Sequence, residues 1–168
     1  AELAAAARTA LANTDNNSFD EAIATAVGTN SGAGKAVLVE LLSDRMAPKA
    51  AATALAALSD SDATVRTAAL RSLTKLGGPA ETPAVIAALK NTADDAERSE
   101  AANALNAIAA IHKDAVLPAV LEGLNGAGTP ARLALLRNLG VISSAQALEP
   151  VLAAMRDKEA EVSGGAVR

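Results

Sequence analysis

A pattern first clear at Val65-Arg66-Thr67-Ala68-Ala69-Leu70-Arg71-Ser72-Leu73 recurs through the chain at intervals of 31 to 34 residues. Nothing else in the sequence restricts the fold as much. Counting from Arg66, Lys35 lies 31 residues earlier and Arg98 lies 32 later; Arg132 follows after a further 34 and Ser163 after a further 31. The apolar positions keep the same register. Ala69 corresponds to Ala101 and Leu135, Leu73 to Leu105 and Leu139, and Leu76 to Ile108 and Ile142, while Leu38 and Leu42 occupy the first two places after Lys35. Val65, Ala69, Leu73 and Leu76 have the spacing of one helical face. A period in the low thirties marks stacked helix pairs, each unable to bury its apolar face alone.

The second half of each unit repeats as well. Leu58, Leu89, Leu124 and Met155 close a second helix just before Asp60, Asn91, Asn125 and Asp157, and Pro83 and Pro118 fall in equivalent first turns, with Pro150 one residue out of step. Proline is tolerated there because the first-turn N–H has no helical acceptor to lose. Paired helices are therefore expected over 35–44 and 48–59, 63–76 and 81–91, 95–111 and 114–124, and 130–142 and 146–156. Their starts carry chemical signals: Asp62 before Ala63, Asp94 three residues before Glu97, and Thr129 before Pro130. The segments Gly77-Gly78-Pro79 and 125–128 read as short turns rather than domain boundaries.

Both ends depart from the template. A first helix is expected over 2–12, a polar loop over 13–17, and a helix opening at Ser18 with Glu21 at capping-box spacing. A further helix begins near Glu161, with Val162, Ala166 and Val167 facing neighbours this sequence does not supply. Residues 1–168 are thus expected to form one array, with 1–32 an atypical first unit and 161–168 the start of a further repeat. Because the chain starts without Met and stops inside a repeat, a longer parent protein or a partner subunit is expected to cover the C-terminal end.

Composition narrows the chemistry. Aromatic residues make up 1% of the chain, Phe19 alone, and the charged fraction is 20% with a net charge of −4. Sparse strand formers and abundant alanine predict an all-α chain whose helices approach closely over small side chains. The charge balance argues against bulk attraction to nucleic acid or anionic lipid. No cysteine is present, which removes disulfides, thiolate metal sites and a cysteine nucleophile. No apolar run approaches the roughly 20 residues of a membrane span, and Ala1 to Ala12 lacks a signal-peptide layout.

The turn aspartate followed by Val-Arg-x-x-Ala-x-x-x-Leu resembles the signature of HEAT-repeat proteins, of the short bacterial type also met in phycobilisome-lyase-like repeats. Partial copies begin at Glu97-Arg98, Ala131-Arg132 and Val162-Ser163, so the likeness covers roughly 33–168. It implies a right-handed α-solenoid of about five helix pairs. It also implies that the signature Asp and Arg tie the turns of neighbouring units together. The family includes partner-binding scaffolds, chromophore lyases and one class of DNA glycosylases, and fold alone does not choose among them.

Individual residues favour the first. Gly28 to Gly34 precedes Lys35, but Thr29 and Ala36 stand where a phosphate-cradling loop needs glycine and a hydroxyl, so an inter-helix loop is expected. His112, the single histidine, sits beside Lys113 and Asp114 at a helix end, where a cationic side chain suits the dipole. The pairs Asp60/Asp62 and Asp94/Asp95 read as caps rather than acid–base or Ca²⁺ groups. The column Lys35, Arg66, Arg98 and Arg132 has the look of a phosphate ladder, but without aromatic stacking partners each arginine is expected to pair with a local aspartate such as Asp62 or Asp94. No catalytic, cofactor-binding or metal residues are assigned. The expected role is a non-catalytic protein-interaction scaffold or docking arm. A protein or peptide partner would lie along the concave face near Lys90, Glu122, Asn125 and Arg156, with no nucleic acid and no membrane span. The alternative is an enzyme of the chromophore-lyase or glycosylase kind, although base excision would want aromatic residues and Trp and Tyr are absent.

Overall fold

A computed structural model describes Thr9, Leu11 and residues 17–156, and among these every regular element is helical. The expected helix over 2–12, the polar loop and the helix near Glu161 fall almost wholly outside the described residues. The chain divides into two compact units, Ala1–Leu76 and Gly77–Arg168, so the boundary falls at the Gly77-Gly78-Pro79 turn.

In the first unit, α1 (Asn17–Thr29) is followed by α2 (Gly32–Asp44), α3 (Ala50–Ala57) and α4 (Ala63–Leu76). Ile23 and Val27 of α1, one turn apart, are buried, and α1 packs on α2. Helix α2 lies along α4, with α3 against both. Between them lie Val39, Leu41 and Leu42 of α2, Ala50, Ala54 and Ala57 of α3, and Val65, Ala69 and Leu73 of α4, all buried. Alanine dominates α3, so its backbone comes close to α4 without large side chains intervening. The register read from Arg66 describes this core at Val65, Ala69, Leu73 and Leu42, whereas Leu38 and Leu76 are only half-buried.

In the second unit, α5 (Thr82–Asn91) packs on α6 (Asp95–His112), and a 3-10 turn at Lys113–Ala115 leads to α7 (Leu117–Gly123). Then come α8 (Thr129–Ile142), a 3-10 turn at Ala145–Ala147, and α9 (Leu148–Met155). The long helices α6 and α8 lie side by side, as do the short ones α5 and α7. Ala101, Leu105 and Ile108 meet Leu135, Leu139 and Ile142 in the order of the repeat, every one buried. Pro83 and Pro118 occupy first turns, as expected.

Most helix starts shift by one to three residues from the sequence reading, and at two of them the expected cap changes. Helix α1 begins at Asn17, which puts Ser18 inside the first turn instead of at the cap. Helix α8 begins at Thr129 itself, with Gly128 in the extended cap position and Pro130 in the first turn. Proline's fixed φ already suits that turn, and the extended Gly128 leaves the cap without a side-chain acceptor.

Three first helices, α2, α6 and α8, end in a residue with positive φ. Met46 (φ 52), Lys113 (φ 34) and Ser143 (φ 55) are the non-glycine cases among the described residues. At the end of α2, Ala47 N–H donates to Leu42 O (3.1 Å) and Met46 N–H to Ser43 O (3.0 Å). These are the two bonds of a Schellman cap, with Met46 at the position that glycine normally holds. Ser143 N–H donates to Leu139 O (2.9 Å), the simpler single-bond form. A side chain at such a φ carries a steric cost that glycine does not. Met46 is 67% exposed, so little packing depends on it. Met46→Gly is expected to stabilise the protein by about 0.5–1 kcal/mol, whereas Met46→Ala, which keeps Cβ, should gain nothing. Urea unfolding midpoints distinguish the two.

Candidate functional site

The basic column does not present itself as a ladder for phosphates, because its described members are engaged at the turns. Lys35 Nζ lies 2.7 Å from Asp60 Oδ2, a contact reaching 25 residues along the chain. Arg66 donates through Nη1 to the main-chain carbonyls of Asp60 (2.9 Å) and Ser61 (3.0 Å). Arg98 repeats the move: Nη2 donates to the Thr92 carbonyl (2.8 Å), again six residues back, and Nη1 pairs with Asp95. Arg132 also has a partner.

Arg98 does pair with a local aspartate, as expected, but it is Asp95 and not Asp94. Asp94 is occupied as a cap, its Oδ1 accepting Glu97 N–H at 2.8 Å, and Asp62 Oδ1 accepts Thr64 N–H (2.8 Å) and its hydroxyl (2.7 Å). A guanidinium has more donors than a cap has room for. Main-chain carbonyls of the turn between the two helices take the remaining donors.

The turn before α4 concentrates this chemistry. Asp60 Oδ1 accepts Asp62 N–H (2.8 Å), so with Lys35 on Oδ2 both carboxylate oxygens are held. The Lys35 hydrogen bond, then the Asp62 N–H, keep the Asp60 carboxyl below its usual 3.8. The Thr64 hydroxyl and N–H do the same for Asp62. Gly32, with φ +53 at the first residue of α2, faces this turn. A Cβ there would lie 3.3 Å from Asp62 Oδ2. The rest of the glycine run is mostly helical: Gly28 belongs to α1 and Gly34 to α2, leaving only Asn30 and Ser31 between them. The inter-helix loop is shorter than the sequence implied, since glycine at the centre of a helix costs only about 1 kcal/mol.

His112 ends α6, half-buried, with its Nε2 near Gly78. Asp94 and Asp95 open the same helix. No group of three or more metal-ligating side chains occurs among the described residues. Asp60, Asp62, Asp94 and His112 are each accounted for by helix ends.

The second helices tell a different story. Between α5 and α7 lies a groove of about 530 Å³ lined by Pro83, Ile86, Ala87, Lys90, Ala119, Glu122, Gly123 and Asn125, with Asn91 at its edge. Its depth depends on Gly123, where a Cβ would stand 2.8 Å from Ile86 Cγ2, closer than side chains pack. Lys90 Nζ donates to the Asn125 carbonyl (2.8 Å) across the groove, again a cation closing the end of a short helix. Glu122 is exposed. Three of the four residues named from the sequence, Lys90, Glu122 and Asn125, therefore converge here. Arg156 caps α9 and is not part of this groove. A second hollow of about 280 Å³ is lined by Leu121, Leu124, Asn125, Arg132, Leu136 and Pro150, among others. Sequence reading missed the floor, Ile86 with Gly123. Its one signal was a glycine standing inside a helical pattern.

Residues 6–106 match the family described as HEAT repeats, and the chain belongs to that family. No curated protein matches it. HEAT repeats generally serve as protein-interaction scaffolds and are typically non-catalytic. No single helix among the described residues is long and apolar enough to cross a membrane.

Because Asp60 and Asp62 hold their carboxyls below 3.8 in the folded chain, their contribution is present above that value and is lost as pH falls through the folded values. Thermal melts taken from about pH 5 to pH 2 should show a smaller acid-induced loss in Asp60→Asn than in the unaltered protein. Identical losses would mean that the Lys35 contact contributes nothing.

Proposed function

We propose that this chain is a non-catalytic protein-interaction module that holds an extended peptide segment of a partner in the groove between α5 and α7. One observation carries the reading: two neighbouring second helices leave a channel with an apolar floor (Ile86, Ala87, Ala119) and an exposed carboxylate, Glu122, on its rim. The cation nearest that carboxylate within the groove, Lys90, is already committed to the Asn125 carbonyl. The complementary ligand is a peptide with a small aliphatic side chain for the floor and a neighbouring lysine or arginine for Glu122. An extended chain suits a channel of this kind because its side chains alternate, one into the floor and the next toward the rim.

Peptide display on the folded protein tests this. Selected sequences are expected to pair an aliphatic residue with a basic one. Ala87→Arg should weaken their binding by about tenfold or more, roughly 1.4 kcal/mol, and Glu122→Lys should reverse the charge preference. Circular dichroism of each variant confirms that it is folded. If both variants bind as tightly as the parent, while Ser99→Arg on the exposed side of α6 abolishes binding, the partner lies on the first helices and the assignment is wrong.

A further inference from the structure

The chain contains a single Asn-Gly pair, Asn125-Gly126, and Asn125 lines both hollows of the second unit. The turn around it has the features that intramolecular imide formation needs. Asn125 is exposed, and its carboxamide has no hydrogen-bond partner among the described residues. The neighbouring Ala127 N–H closes the turn onto Leu124 O (3.3 Å), while the Gly126 N–H donates to no group among the described residues. Gly126 is exposed, has φ +66, and nothing lies within 4 Å of the place a Cβ would occupy, so no neighbouring side chain crowds the turn on that side. Lys90 Nζ, 2.8 Å from the Asn125 carbonyl oxygen, draws electron density from the same peptide group and favours ionisation of that N–H.

We propose that Asn125 is a site of spontaneous deamidation in the folded protein. The Gly126 nitrogen gives its proton to solvent hydroxide and attacks Asn125 Cγ. The new N–Cγ bond closes a five-membered imide, the Cγ–Nδ2 bond breaks, and the amino group takes a proton from water and leaves as ammonia. Water then opens the imide. Cleavage of the N–Cγ bond gives aspartate. Cleavage between the nitrogen and the former main-chain carbonyl carbon gives isoaspartate, in which the backbone runs through Cβ and Cγ and the old carbonyl becomes a free carboxylate. Water is the only co-reactant, and no electrons are transferred.

Either product changes the groove. A second negative charge joins Glu122 on its rim, and in isoaspartate the oxygen that Lys90 holds becomes part of a carboxylate on a lengthened backbone. Slow conversion of Asn125 thus alters the charge offered to a basic peptide, a consequence that rests on the groove reading above. The chemistry of the turn does not rest on it.

The test is peptide mapping of folded protein held at mildly alkaline pH and body temperature, beside the same protein kept unfolded in urea. The peptide spanning Asp114–Arg132 is expected to gain about 1 Da, with isoaspartate as the main product, at a rate within about tenfold of the unfolded chain. Asn125→Gln should abolish the change, because its longer side chain would have to close a six-membered ring. A folded-state rate more than about tenfold slower shows that the turn protects Asn125 and overturns the proposal, as does a mass gain that persists in Asn125→Gln. No peptide ligand enters the readout, so the result is independent of whether the groove binds one.

Discussion

Every helix leaves about four main-chain carbonyls at its end without an internal partner, and the second helices of this chain are too short to hide that deficit. Ala50–Ala57 has 8 residues and Leu117–Gly123 has 7. Roughly half the carbonyls of such a helix point out of it, in or beside the apolar contacts that make the repeat stack. Water alone satisfies them poorly where the turn is half-buried. At the end of Ala50–Ala57 the N–H groups of Leu58, Ser59 and Asp60 take the carbonyls of residues 54–57, and cations drawn from elsewhere take main-chain carbonyls of the turns beyond. Arg66 reaches the Asp60 and Ser61 carbonyls, Arg98 the Thr92 carbonyl, and Lys90 the Asn125 carbonyl. A positive charge is also the sign that a helix carboxyl end favours. Once the arginines are so placed, the next helix must start within a few residues. Asp62 and Asp94 cap that start, and Asp95 pairs with Arg98.

A second set of bonds spans one period. Ser72 Oγ donates to Val39 O (3.4 Å), Lys75 Nζ lies 2.5 Å from Asp44 Oδ1, and Asn138 Nδ2 donates to Asn106 Oδ1 (2.9 Å). The partners are 31 to 33 residues apart, so each rung joins a first helix to its successor. Most of the interface is apolar and would tolerate sliding by a turn. The pairs at buried Ser72 and Asn138 do not, because a displaced rung leaves a buried group unsatisfied. The buried Asn138 leaves its Oδ1 without a partner among the described residues.

The legible part of this protein was its apolar register. Ala69, Leu73, Ala101, Leu105, Leu135 and Leu139 are all buried, as the spacing required, and the helix bounds came out within a few residues, because period and burial are set by the same geometry. What resisted was anything decided by main-chain atoms. A sequence displays the carboxylate of Asp62 but not the carbonyls of Asp60 and Ser61, so these main-chain acceptors of Arg66 were not legible in it. The left-handed Met46 and Ser143 stand where glycine is usual, and no residue type announced them. Of the groove, the polar rim was visible in Lys90, Glu122 and Asn125. The floor needed the approach of Ile86 to Gly123, a distance that no spacing rule encodes.

The claim that column arginines close the repeat turns through main-chain carbonyls is tested most directly by comparing Arg66→Met with Arg71→Met in urea unfolding. Arg71 carries the same charge on the same helix, but its side chain is 56% exposed and Nη1 lies 3.7 Å from Glu40 Oε1. Arg66→Met should lower stability by about 1–2 kcal/mol, and Arg71→Met by less than about 0.5 kcal/mol. Equal losses would show that the two arginines act only as surface charges, and the carbonyl-capping account would be contradicted.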